Sequence, residues 1–150
     1  MPQQYCPFRN KLIPDSPEEL VRQSLLAKMT QELGYPKECL ALEREISRLP
    51  HLQGVPFKIP QRRVDILCFA KNQQAEANLF PLLLIECKAV PLQSYMLKQL
   101  IGYNYYIQAC FVALVNGQEC RLGWQDSRNE YQFQPVLPPY ADLLASLKPT

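Results

Sequence analysis

The chain has 150 residues, 16 Lys and Arg against 14 Asp and Glu, and a net charge of +2. That length suits one domain with its own core, and the near balance of charge excludes the broad basic excess that alone announces a nucleic-acid binder. Any affinity for DNA must then come from a local patch or a bound metal. No run of about 18 apolar residues is present, which excludes a membrane-spanning helix. Residues 1–10, MPQQYCPFRN, hold no apolar signal core, and the six cysteines show neither CxxC nor Cys/His zinc spacing. They are expected to be packed thiols in a cytoplasmic protein.

Residues 1–14 read as a polar N-terminal arm, with Tyr5, Phe8 and Ile13 able to pack on the body, and residues 15–150 as a single domain. Ser16 offers a helix N-cap, Pro17 suits the first helical position, and Glu19 three residues on completes a capping box. The helix is predicted to run to about Leu33, stopped by Gly34 with Pro36 beyond. Its apolar stripe passes through Val21, Leu25, Met29 and Leu33. At about 100° per residue that stripe places Glu18 and Arg22 near its middle and Glu19 toward its edge.

Residues 37–46, KECLALEREI, fit a strand, although periodicity alone leaves a helix open. Residues 47–61 form a Pro-rich loop with the only histidine, His51, which reads as a solvated polar residue. A strand follows at 62–70, RRVDILCFA, with Asp65 near its start. Lys58, Arg62 and Arg63 cluster just before it, as DNA-phosphate contacts or as solvated strand-edge charges. The polar residues 71–78 are expected to turn the chain into an antiparallel neighbour.

That neighbour, residues 80–89, FPLLLIECKA, is the pivot of the chain. Its apolar run is long enough for a strand buried on both faces and too short for a helix. Glu86 and Lys88 project on one face of it, with Cys87 on the other. Unpaired buried charge costs several kcal/mol, on the order of the whole stability of a small domain, so a compensating role is expected. Asp65 on the adjacent strand would join Glu86 in a hard-oxygen site suited to Mg²⁺. Lys88 alongside could orient a water or stabilise phosphate charge.

A second helix is predicted over 91–108, with Leu92, Met96, Leu100, Tyr103 and Ile107 at helical spacing and Gln99 and Tyr103 on one face. Residues 109–115 read as a buried strand parallel to the pivot, because a helix intervenes. Strands at 120–124 and 130–134 and a short helix at 140–147 complete an α/β domain with a mixed sheet of about four to six strands.

Asp65 followed by Glu86-Cys87-Lys88 resembles the D…(D/E)xK core of the PD-(D/E)xK nuclease superfamily. The blocks PEELVRQ (17–23), GYP (34–36), RRVDI (62–66), IECKA (85–89), QLIGYN (99–104) and VNG (115–117) resemble, in order, the N-terminal nuclease domain of type I restriction enzyme R subunits. The resemblance covers residues from about 14 to about 124. It implies a restriction-endonuclease-like fold and favours a strand at 37–46. It also implies a Mg²⁺-dependent deoxyribonuclease, with Mn²⁺ as a possible substitute. In that scheme Asp65, Glu86 and the Cys87 carbonyl hold metal, Lys88 positions the attacking water, and Glu18, Gln99 and Tyr103 support the site. The chain contains no GxxxxGK(S/T) motif, so an ATP-driven motor is not expected within it, which leaves room for a separate protein partner besides DNA. The alternative is a non-catalytic relative that binds DNA or protein.

Overall fold

In a computed structural model describing residues 3–71 and 79–147, the elements in chain order are β1 (Gln3–Cys6), β2 (Lys11–Pro14), α1 (Pro17–Gln31), β3 (Leu40–Glu45), β4 (Arg63–Lys71), β5 (Leu79–Cys87), α2 (Ser94–Ile107), β6 (Phe111–Val115), β7 (Cys120–Gln125), β8 (Tyr131–Gln134) and α3 (Tyr140–Ser146). The turn expected at 71–78 lies, apart from Lys71, outside the described residues. Strands β3 to β8 form one six-stranded sheet in sequence order. Every neighbouring pair is antiparallel except β5 and β6, which are parallel because α2 carries the chain back between them. This is the expected α/β, restriction-endonuclease-like core.

The alternation of β4 and β5 divides the interior in two. Ile66, Cys68, Leu83, Ile85 and Cys87 face α1 and pack on Leu25, Leu26 and Met29. Leu67 and Leu84 face α2 and share a core with Met96, Leu100, Ile107, Val112 and Leu114, closed at one side by Ile46, Leu49 and Leu52. β5 is therefore covered on both faces, and residues from Leu82 to Cys87 are all buried.

Helix α1 starts as expected, with Ser16 Oγ accepting from the Glu19 N–H at 3.2 Å and Pro17 opening the first turn. Gly34 takes φ +73°, the left-handed conformation that ends a helix cheaply. The orientation of α1 about its axis corrects the sequence reading. The buried line is Glu19, Arg22, Leu26 and Met29, whereas Glu18 is exposed. The Glu19 carboxylate does not return to the cap but turns inward onto Arg9 and Arg22.

The segment expected as an arm forms the β1–β2 hairpin, in which Cys6 and Ile13 are buried. At the far end of α2, Gln108 takes φ +62° and the buried Asn104 side chain brackets the turn: its Oδ1 accepts from Ala109 N–H at 2.8 Å and its Nδ2 donates to Ala109 O at 3.0 Å. That bracket fixes where α2 hands over to β6.

Candidate active site

The site lies where β4 and β5 part. Ile66 opposite Ile85 is the last paired position of their ladder at this end. Beyond it a side chain replaces the main-chain partner: Asp65 Oδ2 accepts the Cys87 N–H at 2.7 Å. β5 meanwhile stays attached to β6, with Glu86 opposite Leu114, Cys87 opposite Val115, and the Lys88 N–H donated to Val115 O at 2.8 Å. Asp65, Glu86 and Lys88 are thus brought to one strand end by main-chain bonds on both sides of β5.

Glu86 is only 5% exposed, and among the described residues its Oε1 has no hydrogen-bond partner. Its Oε2 lies 3.8 Å from Arg62 Nη2, a distance too long for a hydrogen bond. Burial pushes the carboxyl upward, the nearby Asp65 charge adds to the rise, and Arg62 and Lys88 only partly oppose it. Arg62 in turn rests its guanidinium 4.7 Å from the centre of the Tyr103 ring. A half-buried Lys88 completes this side.

Behind Asp65 lies an ionic network that the sequence reading did not assemble. Arg22, buried in α1, reaches Glu19 Oε1 at 2.7 Å, Glu43 Oε1 at 3.1 Å, Asp65 Oδ1 at 3.6 Å and, weakly, the Asp65 carbonyl at 3.5 Å. Arg9 from the hairpin pairs with Glu19 and lies 3.2 Å from Glu43 Oε2. Although burial alone would raise Glu19, hydrogen bonds from Arg22 and Arg9 hold it down to about 2. Arg22 is kept charged by the same contacts despite its burial. Glu43 joins because its φ of +54° breaks the alternation of β3 between the Leu42–Ile66 and Arg44–Val64 pairs. Its antiparallel position opposite Asp65 was a usable signal, as was the presence of Arg22 within PEELVRQ.

Of the residues singled out from sequence, Asp65, Glu86, Cys87, Lys88, Arg62 and Tyr103 come together. Gln99 is exposed, and Glu18 points to solvent, so the acidic residue that α1 directs toward the site is Glu19. Arg63 pairs with Glu45 at 3.3 Å, and Lys58 is exposed in the loop before β4. His51 bonds through Nε2 to the Tyr106 carbonyl at 2.8 Å, on the α2 side of the molecule. The described cysteines are free thiols, and burial raises those of Cys68 and Cys87. Among the described residues no helix is long and apolar enough to cross a membrane.

Among the described residues, no cluster of three or more His, Cys, Asp and Glu side chains is arranged to hold a metal. The donors on offer are two carboxylates, Asp65 and Glu86, and the main-chain carbonyl of Cys87, the residue after Glu86. Hard oxygen donors in small number suit a cation that keeps most of its water, and the partnerless Oε1 of Glu86 is an open acceptor.

The family described as Type I restriction enzyme R protein N terminus matches residues 17–138, extending past Trp124 through β8. No curated protein and no solved structure matches the chain.

Proposed function

Since the chain belongs to the type I restriction enzyme R protein N-terminal family, a nuclease-related domain, we propose that it is a Mg²⁺-dependent deoxyribonuclease of the PD-(D/E)xK kind. The observation that carries this reading is the pair Asp65 and Glu86, held at the parting of β4 and β5 with a buried carboxylate oxygen that nothing among the described residues satisfies. Burial and the neighbouring Asp65 charge both oppose ionisation of Glu86, a cost that a bound cation would offset. A divalent cation bound by Asp65, Glu86 and the Cys87 carbonyl would supply positive charge to the phosphoryl oxygens during phosphodiester hydrolysis.

The chain's own groups do the rest. Lys88 has three N–H donors and no acceptor capacity, so it orients a water or meets phosphate charge but cannot ligate metal. Arg62, held loosely between Glu86 and Tyr103, is free to turn a donor toward a phosphate. Arg22 holds Asp65 from behind through its carboxylate and carbonyl, which makes it a positioning residue.

The test is incubation of the protein with supercoiled, linear, single-stranded and branched DNA in Mg²⁺, Mn²⁺ or EDTA, beside Asp65→Asn and Glu86→Gln variants. Cleavage that needs the cation and drops about a hundredfold or more in both variants is expected, since even outer partners of metal ligands are worth 10–100-fold. DNA binding without cleavage, unchanged in both variants, would identify a binding relative instead.

A further inference from the structure

Residues 46–64 carry Arg48, Lys58, Arg62 and Arg63 and neither Asp nor Glu, and residues 87–118 carry Lys88 and Lys98 and again no acid. In a chain of 16 basic and 14 acidic residues this is segregation of charge, not excess. The two segments lie on the same side of the sheet, because Ile46, Leu49, Leu52 and Val64 share one core with Met96, Leu100 and Ile107 of α2. Among the described residues, the acids that meet these segments are already engaged or, like Glu86, buried. Glu45 is shared by Arg48 at 3.1 Å and Arg63 at 3.3 Å, and Glu119 is hydrogen-bonded to the Leu92 N–H and to Asn116.

The same face displays aromatic rings at and beyond the edge of the core, with Tyr106 packed on it and two rings standing out beside it. Tyr105 is 76% exposed and Phe57 is 51% exposed. Tyr106 lies between them, its ring 5.3 Å from Tyr105 and 6.2 Å from Phe57, centre to centre. The His51 bond to the Tyr106 carbonyl pins the loop to the helix here, and a groove of about 550 Å³ lined by Lys58, Ile59, Pro60, Gln61 and Tyr106 opens beside the rings. The path back to the site is continuous: Glu86 to Arg62, Arg62 to Tyr103, and Tyr106 on the next turn of α2.

We propose that Phe57, Tyr105 and Tyr106 form a stacking platform for unpaired DNA bases, so that the preferred substrate has a single-stranded segment beside the scissile phosphate. What happens at Glu86 rests on the nuclease reading; strand binding at the rings does not. Exposed rings stack on the π-face of any base, and Lys58, Arg62 and Lys98 supply the charge that follows a phosphate backbone. A duplex keeps its bases stacked inside and offers the rings nothing. A protein-docking face of this size has no need to exclude acids, whereas a polyanion track does.

The experiment is fluorescence anisotropy in EDTA, titrating protein into a labelled oligothymidylate of about 15 nucleotides and into a blunt duplex of equal length. The parent should bind the single strand more tightly. A Phe57→Ala/Tyr105→Ala double variant should lose about tenfold or more of single-strand affinity while duplex affinity changes less than about twofold, and Tyr105→Phe should bind as the parent does. Equal affinity of the parent for both DNAs, unchanged single-strand binding in the double variant, or equal loss for both DNAs overturns the platform. Rings that serve a protein partner would give the second of those results. If the double variant loses single-strand binding but no form of the protein cuts DNA in Mg²⁺, the platform stands and the nuclease reading falls. Cleavage with ring-independent binding does the opposite, keeping the nuclease and removing the platform.

Discussion

Burial, reinforced by the adjacent Asp65 charge, pushes Glu86 up to about 8 from an ordinary value of 4.5. The folded chain therefore keeps a proton that the unfolded chain has released, and stability falls as pH rises from about 4.5 to about 8. Glu86→Gln removes that titration. In EDTA its melting temperature should gain on the parent's between pH 5 and pH 8, and in the parent Mg²⁺ affinity by calorimetry should rise over the same range. Glu19 behaves in the opposite sense: burial opposes its ionisation, but Arg22 and Arg9 hold it at about 2, so its contribution is complete above 4.5 and is lost as pH falls toward 2. Glu19→Gln should cost up to about 3 kcal/mol at neutral pH, the low end for breaking a buried pair, because Arg22 keeps Glu43 and Asp65. Glu18→Ala should stay within about 0.5 kcal/mol, as exposed positions do, and chemical denaturation of the two variants side by side would check both figures. The sequence could place Asp65, Glu86 and Lys88 because strand alternation is rigid. It misplaced the acid on α1 because a buried carboxylate reads as solvent-facing until its partners are known, and one partner, Arg9, comes from a hairpin that local propensity did not announce.

Elements with a strong period were legible: both helices flanking the site, the β4–β5 pair and the parallel β6 all occur where apolar spacing put them, within a few residues. What periodicity could not fix was rotation of α1, since the stripe ran through Val21 and Leu33, only half buried, and passed by the fully buried Leu26. The capping signal was correct in its first half only. Ser16→Ala should cost about 1 kcal/mol by loss of the bond to the Glu19 N–H, with no change in metal affinity, as a melt and a Mg²⁺ titration on the same sample would record. Asn104→Ala should cost more, about 1–3 kcal/mol, because it leaves the buried Ala109 N–H without its acceptor at the point where α2 meets β6.

At the scale of the whole molecule, the +2 net charge conceals an uneven distribution, and salt is the variable that exposes it. If the α2 side tracks a phosphate backbone, the logarithm of the DNA affinity should fall linearly with the logarithm of salt concentration. Lys58→Ala and Lys98→Ala should each reduce that slope by about 1, measured by anisotropy across a NaCl series. Sheet order has a separate consequence at this scale. Among the described residues the sheet ends in β3 and β8, and an open sheet offers such rims to any neighbouring molecule. β8 is only four residues long, and β3 is broken at its middle by the left-handed Glu43, which Arg9 of the hairpin grips from outside. Neither rim presents the long, flat row of unpaired amides and carbonyls that templates fibril growth. The glutamate that shares Arg22 with Asp65 thus also interrupts an edge, and relaxing β3 into a regular extended strand would invite clumping as well as loosen the network behind the site.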